Sequence, residues 1–397
     1  MRNKIALLCT NFWRTERILP AVERLSKTHD IIVSSLGGGN VLNHHEDKHA
    51  IAVREKIKAK ASDPSFEIYS NSVINRNGTS TWYESDVAEA LANLDLDNLD
   101  CVIYDDSRTA GHQIPKIIFE PFYQILKERN IPVIANIHGN IDDERLSKFA
   151  AIEQGKIYDK LFVYGSYDRN RLAKHNIKEH VVEAGIPAND KIKNMPTSPE
   201  HVLIVFNRVQ FKGMETRVET LENLQIQELW DRYKKPIILK VKPPPLGGLG
   251  IDSKGAELEG LENLLIELVQ RGGTASFDPN MELVITADDL DEDWMLTNSA
   301  CIISYGSTMC FKAIQAGVPT VIVREMGNVA NFEDYFGTVS LEDNFFDIID
   351  KWGETSKEQS DFLESTLRGS IEFNSTDLYV ESVYGVINEW KQKNTNQ

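Results

Sequence analysis

Short apolar runs alternate with stretches whose apolar residues recur every three or four positions, and this alternation continues through most of the chain. In the first half, Lys4–Thr10, His29–Ser35, Ser65–Tyr69, Asp100–Tyr104, Pro132–Ile137, Lys160–Tyr164 and Val181–Ala184 read as strands. Helical spacing predicts helices over Thr15–Ser26, His49–Ala61, Val87–Leu94, Ile114–Glu128, Phe149–Gln154 and Asp168–Lys174. The polar segment Ala188–Glu200, with Pro196 and Pro199, marks a linker. Beyond it the alternation restarts, with strands expected at His201–Phe206, Pro236–Val241, Met281–Thr286, Ala300–Ser304 and Thr320–Arg324. Helical stretches at Thr220–Tyr233, Leu258–Gln270, Trp294–Thr297 and Thr308–Ala316 separate them, and Leu341–Lys393 reads as helices alone.

Strands separated by helices predict βαβ units and parallel sheets. The expected fold class is therefore α/β: two Rossmann-like parallel-sheet domains over 1–195 and 196–340, then C-terminal helices over 341–397. Doubly wound sheets bind ligands at the C-terminal ends of their strands, so two in tandem suit two substrates brought together in a cleft.

Composition narrows this picture. A chain of 397 residues has enough material for two cores, and 41% hydrophobic with 26% charged residues is ordinary for a globular protein. No apolar run approaches the ~18–20 residues of a membrane span. The apolar stretch from Ile5 to Cys9 is followed by Asn11, Arg14 and Glu16, which fits a buried strand better than a leader, so a cytoplasmic protein is expected. Cys9, Cys101, Cys301 and Cys310 form no Cys-x-x-Cys pair and read as small core residues. Nearly all of the net charge of −17 falls after residue 195, since residues 1–195 hold 26 Lys and Arg against 27 Asp and Glu. An acidic second half argues against wrapping nucleic acid there.

The strongest chemical signal is Ser304-Tyr305-Gly306-Ser307-Thr308, at the end of one predicted strand and the start of a helix. A glycine and hydroxyls at a helix N-terminus offer donors to a phosphate, although Ser307 or Thr308 as a plain helix cap reads equally well. His138 follows a strand beside Gly139, where an imidazole would serve either as a base toward an acceptor hydroxyl or as a loop hydrogen-bonding group. Asn207 and Arg208 also follow a strand, and an arginine fork suits diphosphate oxygens, with a solvated loop arginine as the alternative; Arg324-Glu325 follows the last strand, where it would reach the ribose or the transferred group or else form a surface ion pair.

Asp105-Asp106 and the run Asp288, Asp289, Asp291, Glu292, Asp293 resemble metal ligands only superficially, because acids at a helix start are favoured anyway. His44, His45 and His49 read as a polar loop, and Gly37–Asn40 as a flexible loop at the cleft edge. Asn77-Gly78-Thr79 is a formal glycosylation sequon that a cytoplasmic location would leave silent. Arg145, Lys148, Lys156, Lys160, Arg169, Arg171, Lys174 and Lys178 read mainly as a solvated face that would also attract an anionic acceptor.

On these residues the chain resembles the GT-B superfamily. Cys301–Glu325 is similar to the donor-binding segment of its glycosyltransferases, CDP-glycerol glycerophosphotransferases and non-hydrolysing UDP-N-acetylglucosamine 2-epimerases, where a Ser/Gly turn leads through a helix to Gly-x-Pro, here Gly317-Val318-Pro319. The glutamate that many retaining members carry in that helix is replaced by a region with Phe311, Lys312 and Gln315. Gly185-Ile186-Pro187-Ala188-Asn189-Asp190 and Ile137-His138-Gly139 resemble segments of the glycerophosphotransferase group, whose Lys-x-His-Pro stands here as Lys240-Val241-Lys242-Pro243.

The resemblance implies a metal-independent glycosyltransferase that takes a nucleotide-sugar as substrate and needs no other cofactor. His138 would be its catalytic residue. Asn207, Arg208, Lys240, Lys242, Ser304, Gly306, Ser307, Thr308 and Arg324 would hold the donor, and Asn11, Arg14, Glu16, Asp106 and Gly139 would lie on the acceptor side. The expected acceptor is a glycan or another anionic hydroxyl compound, modified DNA included. The alternatives are a polyol-phosphate transferase, an NDP-sugar 2-epimerase and a non-catalytic nucleotide sensor.

Overall fold

Runs such as Ile5–Leu8, Val102–Tyr104, Leu203–Val205 and Val321–Val323 are apolar without interruption, as strands covered on both faces require, and each is buried. The computed structural model describes residues 3–9, 16–35, 66–69, 96–104, 122–137, 158–178, 180–206, 224–241, 280–286, 290–326, 329, 332–367 and 374–395. The helices expected over 49–61, 87–94, 149–154 and 258–270 lie outside the described residues.

The chain divides into two compact units, one of Met1–Asp190 with Glu364–Gln397 and one of Lys191–Leu363. In the first, β1 (Lys4–Cys9), β2 (Asp30–Ser35), β3 (Phe66–Tyr69), β4 (Leu99–Tyr104), β5 (Val133–Asn136), β6 (Lys160–Val163) and β7 (Val181–Glu183) form one sheet in the order β3-β2-β1-β4-β5-β6-β7. Every pairing in it is parallel. In the second, β8 (His201–Phe206), β9 (Ile237–Val241), β10 (Leu283–Thr286), β11 (Ser299–Ser304), β12 (Thr320–Val323) and β13 (Thr338–Val339) run in the order β10-β9-β8-β11-β12-β13, again parallel throughout. Both are Rossmann-like sheets whose order reverses once, at β1/β4 and at β8/β11.

The expected strands are present to within a residue or two. The two-residue β13 was not foreseen, because Thr338-Val339 is too short to show a period. The linker segment is ordered: Pro187–Asn194 forms 3-10 turns, and the unit boundary falls inside it. The residues after 340, expected as one helical stretch, are shared between the units. Helix Phe345–Lys351 packs on β12 in the second. Helix Ser375–Thr395 lays Tyr379, Val380, Val383, Val386 and Ile387 against Ile5, Leu7, Val22 and Leu25 in the core of the first.

That long helix is capped from two sides. Asp190 accepts from the Ser375 and Thr376 amides at 2.9 and 2.6 Å, and Asn374 Oδ1 accepts from the Asp377 amide at 3.2 Å. With the Leu378 N–H making the first intrahelical bond to the Asn374 carbonyl, the three amides that precede it, of Ser375, Thr376 and Asp377, are all satisfied. Asp190 stands next to Gly185-Ile186-Pro187, and Gly185 adopts φ +69°, where a Cβ would meet Ser375 Oγ at 2.6 Å. A glycine there is required twice over, by the backbone and by the closeness of the helix.

Candidate functional site

A parallel sheet brings the C-terminal ends of all its strands to one edge. Every site residue expected from the sequence, apart from Lys240 and Ser304, follows such an end in the chain. Lys240 and Ser304 are the next-to-last and last residues of β9 and β11. Asn11, Arg14, Asp106, His138, Gly139, Asn207, Arg208 and Lys242 themselves lie outside the described residues.

In the second unit the turn after β11 sits at the switch point beside β8. Its rigidity comes from one carbonyl. Tyr305 C=O accepts from Ser304 Oγ at 2.8 Å, from Ser307 N–H at 2.6 Å and from Cys310 Sγ at 3.6 Å. Ser304 is therefore fully buried and braces the turn from beneath, while Ser307 and Thr308 are half-exposed above it. Helix Met309–Gln315 has no close side-chain cap: Ser307 Oγ reaches the Met309 amide only at 3.5 Å. The helix ends in a Schellman motif, with Gly317 N–H on Ile314 C=O and Val318 N–H on Ala313 C=O, both at 3.0 Å. Gly317 has φ +74°, so the Gly-Val-Pro segment is a helix stop feeding β12.

The inward residues of that helix are committed. Phe311 stacks on Phe332 with ring centroids 4.6 Å apart, and Gln315 is buried. Lys312 Nζ lies 2.8 Å from Glu292 and 3.2 Å from Asp293, and Asp293 also pairs with Lys191. Burial pulls the Lys312 ammonium down, but the two carboxylates outweigh it and hold its pKa above the ordinary lysine value. Asp291 caps helix Glu292–Thr297 through the Trp294 amide at 2.9 Å. These described members of the acidic run thus have structural duties as a cap and as ion-pair partners.

Lys240 is half-buried near the end of β9, two strands from β11. Arg324 is exposed at the end of β12 and donates to Thr338 C=O at 3.4 Å, while Glu325 accepts from the Leu341 amide. The two are therefore not each other's partners here.

In the first unit the structure shows a pocket that the sequence did not single out, lined by Arg17, Ile18, Asn136, Ile137, Phe162, Tyr164, Gly185, Ile186 and Pro187. The ladder continues past the strands to build it. Ile137 N–H bonds Phe162 C=O at 2.8 Å, and Gly185 N–H bonds Tyr164 C=O at 3.1 Å. Asn136 is locked below, donating to Tyr104 C=O at 2.8 Å and accepting from Tyr379 Oη at 2.9 Å. The Arg17 carbonyl accepts from Ala188 N–H at 2.9 Å, and its guanidinium donates to the Tyr164 hydroxyl. Glu16, the neighbour expected to matter, is half-buried and is not among the lining residues. Tyr164 is the first residue after β6, but the sequence pattern places it as the last residue of the expected strand Lys160–Tyr164, which hid it. The described basic residues of this unit are largely engaged, Lys160 with Glu389, Arg169 with Glu183, and Arg171 over the Tyr167 ring.

No protein-family model and no curated protein sequence matches the chain. Solved structures do, over nearly the full length. A UDP-GlcNAc 2-epimerase from Methanocaldococcus jannaschii aligns with TM-score 0.54 at 12% identity, covering 98% of this chain and 99% of the other. The fold is GT-B. A second GT-B epimerase, from Neisseria meningitidis and bound to UDP-GlcNAc, gives TM-score 0.50 at 16% identity over 98% and 100% of the two chains. A UDP-forming α,α-trehalose-phosphate synthase from Burkholderia vietnamiensis gives 0.54 at 9% identity over 98% of each. The GT-B assignment fixes the architecture, and chemistry differs among these proteins. Among the described residues, no helix is long and apolar enough to cross a membrane.

Proposed function

We propose that this chain is an enzyme that binds a nucleotide-activated sugar at the β11 turn and transfers the sugar to an acceptor hydroxyl. The observation that carries the reading is the rigid Tyr305–Thr308 turn at the strand-order reversal of the second sheet, where doubly wound folds take their ligands. Ser307 and Thr308 would donate to the diphosphate, with Lys240, Lys242, Asn207, Arg208 and Arg324 supplying further donors from neighbouring strand ends. Fixed donors of this kind stabilise a leaving diphosphate without reorganising. His138, two residues beyond β5, would take the proton of the acceptor hydroxyl.

A second reading, epimerisation of the nucleotide-sugar itself, draws support from the two epimerases among the GT-B structures described above. The helix after the turn holds Phe311, Lys312 and Gln315 where many retaining members carry a glutamate, which counts against those subfamilies and leaves transfer and epimerisation to be separated by experiment.

The test is a thermal-shift panel of UDP, GDP, CDP, CMP and dTDP species. A ligand at 100 times its Kd adds about 2.7 kcal/mol. The stabilising nucleotide-sugar is then incubated with and without acceptor. Conversion without an acceptor supports epimerisation, and acceptor-dependent release of the nucleoside diphosphate supports transfer. Ser307→Glu, which sets a carboxylate against the diphosphate, should abolish the shift while the apo melting temperature holds. An undiminished shift in that variant would remove the turn from the donor site.

A further inference from the structure

His201 opens the first strand of the second unit, and its imidazole is tied by one nitrogen alone. The residue is 2% exposed, and Nε2 lies 3.0 Å from the Met295 carbonyl and 3.1 Å from Ser299 Oγ. Ser299 Oγ itself donates to the Met295 carbonyl at 2.6 Å, so its proton is spent there. A carbonyl only accepts, and Nε2 therefore carries a hydrogen. The other nitrogen, Nδ1, is buried and has no hydrogen-bond partner among the described residues. With Nδ1 bare, the ring is neutral.

The ring joins three elements. His201 begins β8, the Met295 carbonyl belongs to helix Glu292–Thr297, and Ser299 begins β11. The main chain repeats the tie: the amides of Ser198, Glu200 and His201 donate to the carbonyls of Thr297, Asn298 and Asn298 at 3.2, 2.7 and 3.2 Å. The imidazole also lies against Trp294, with ring centroids 5.1 Å apart. The helix held in this way carries Glu292 and Asp293, the anchors of Lys312.

A proton on Nδ1 adds a buried donor with no acceptor and a charge removed from water. The Trp294 face offers an imidazolium some attraction, which does not replace the missing acceptor. Of the charged groups around the ring, Glu200 beside it in the chain favours the proton, and Lys235 ahead of β9 opposes it. Helix Glu292–Thr297 presents the Met295 carbonyl and the Trp294 indole, and β11 presents the Ser299 hydroxyl. Burial is the largest influence and holds the imidazole below its ordinary 6.5, against the pull of Met295 and Glu200. A histidine depressed in this way contributes fully to stability above pH 6.5, and the contribution is lost as pH falls toward the folded value.

We infer that His201 is a proton-operated latch: the neutral ring clamps helix Glu292–Thr297 to the start of β8, and protonation releases it. The latch is independent of what binds at the β11 turn.

Hydrogen exchange on the full chain, read by mass spectrometry and corrected for the intrinsic pH dependence of amide exchange, tests this. Between pH 7.5 and 5.0, protection over 292–298 should fall severalfold, up to about thirtyfold, the most that the 1.5 pH units from 6.5 to 5.0 can supply. Protection over β12 should hold. His201→Gln, which can donate to the Met295 carbonyl but takes up no proton, should remove the pH dependence. His201→Asn is the second variant if His201→Gln does not fold, and if neither folds the wild-type contrast between 292–298 and β12 carries the test. Unchanged protection over 292–298 in the wild type, a loss shared equally by β12, or the same loss in a folded variant would overturn the inference.

Discussion

Individual side chains in the first unit divide into those that serve the fold and those placed for chemistry, and Asp168 belongs to neither group comfortably. It lies in the first turn of helix Ser166–Lys174 at 2% exposure. Burial raises its carboxyl to about 7, against the opposing pull of the Tyr164 backbone and the Arg171 charge. In the unfolded chain the same group ionises near 3.8, so the unfolded state gains from ionisation first. Its contribution to stability is then full below pH ~4 and is lost as pH rises toward 7. Asp168→Asn should therefore melt higher than wild type at pH 8, with the gap shrinking at pH 5.5; a constant gap would mean that the carboxyl is not the cause. His138 makes the opposite kind of demand. If it is the base for the acceptor, His138→Ala should lower turnover about 10²–10⁴-fold with donor affinity unchanged by calorimetry. Normal turnover with lost donor binding would make it a nucleotide ligand instead.

Elements are held to one another by a few charge-assisted contacts whose cost of removal can be stated. Asp190 joins the Pro187–Asn194 turns to the start of helix Ser375–Thr395 through two amides and the Thr376 hydroxyl at 2.6 Å. Asp190→Ala removes a cap and its charge from a helix N-terminus, a loss of about 1–2 kcal/mol, or roughly 2–8 °C in melting temperature for a unit of this size. Asp190→Asn keeps an acceptor oxygen and should lose less; equal losses would show that the packing of the turn matters and the cap does not. Gly185-Ile186-Pro187-Ala188-Asn189-Asp190 was noticed in the sequence only as a pattern. Its reason, a left-handed glycine under a helix start that arrives 190 residues later, is invisible without the long-range contact.

Across the whole molecule, what the sequence disclosed depended on whether the signal was local. Strands showed themselves because both of their faces are buried, and two parallel sheets followed from the βα alternation. The turn Ser304–Thr308 was also legible, since its chemistry lies in consecutive residues, although the division of labour between the buried Ser304 brace and the half-exposed Ser307 and Thr308 was not. The Arg17–Tyr164 pair was hidden because 147 positions separate its members. The membership of the last helix was hidden for the same reason: an amphipathic stretch announces that it packs, without naming its partner.

That last helix sets an order of assembly at the ribosome. The sheet of the first unit emerges early, yet Ile5, Leu7, Val22 and Leu25 await Tyr379, Val383 and Ile387 to complete their cover. The 188 residues between Asp190 and Tyr379 take about 10–40 s to synthesise at about 5–20 residues per second. Throughout that interval the nascent first unit carries an open apolar face, while the second has all of its own residues once Leu363 is made. The unit whose residues come first in this sequence is thus the later of the two to close, and a chain stalled after Leu363 would present a sticky half-built sheet to the chaperones rather than a finished lobe.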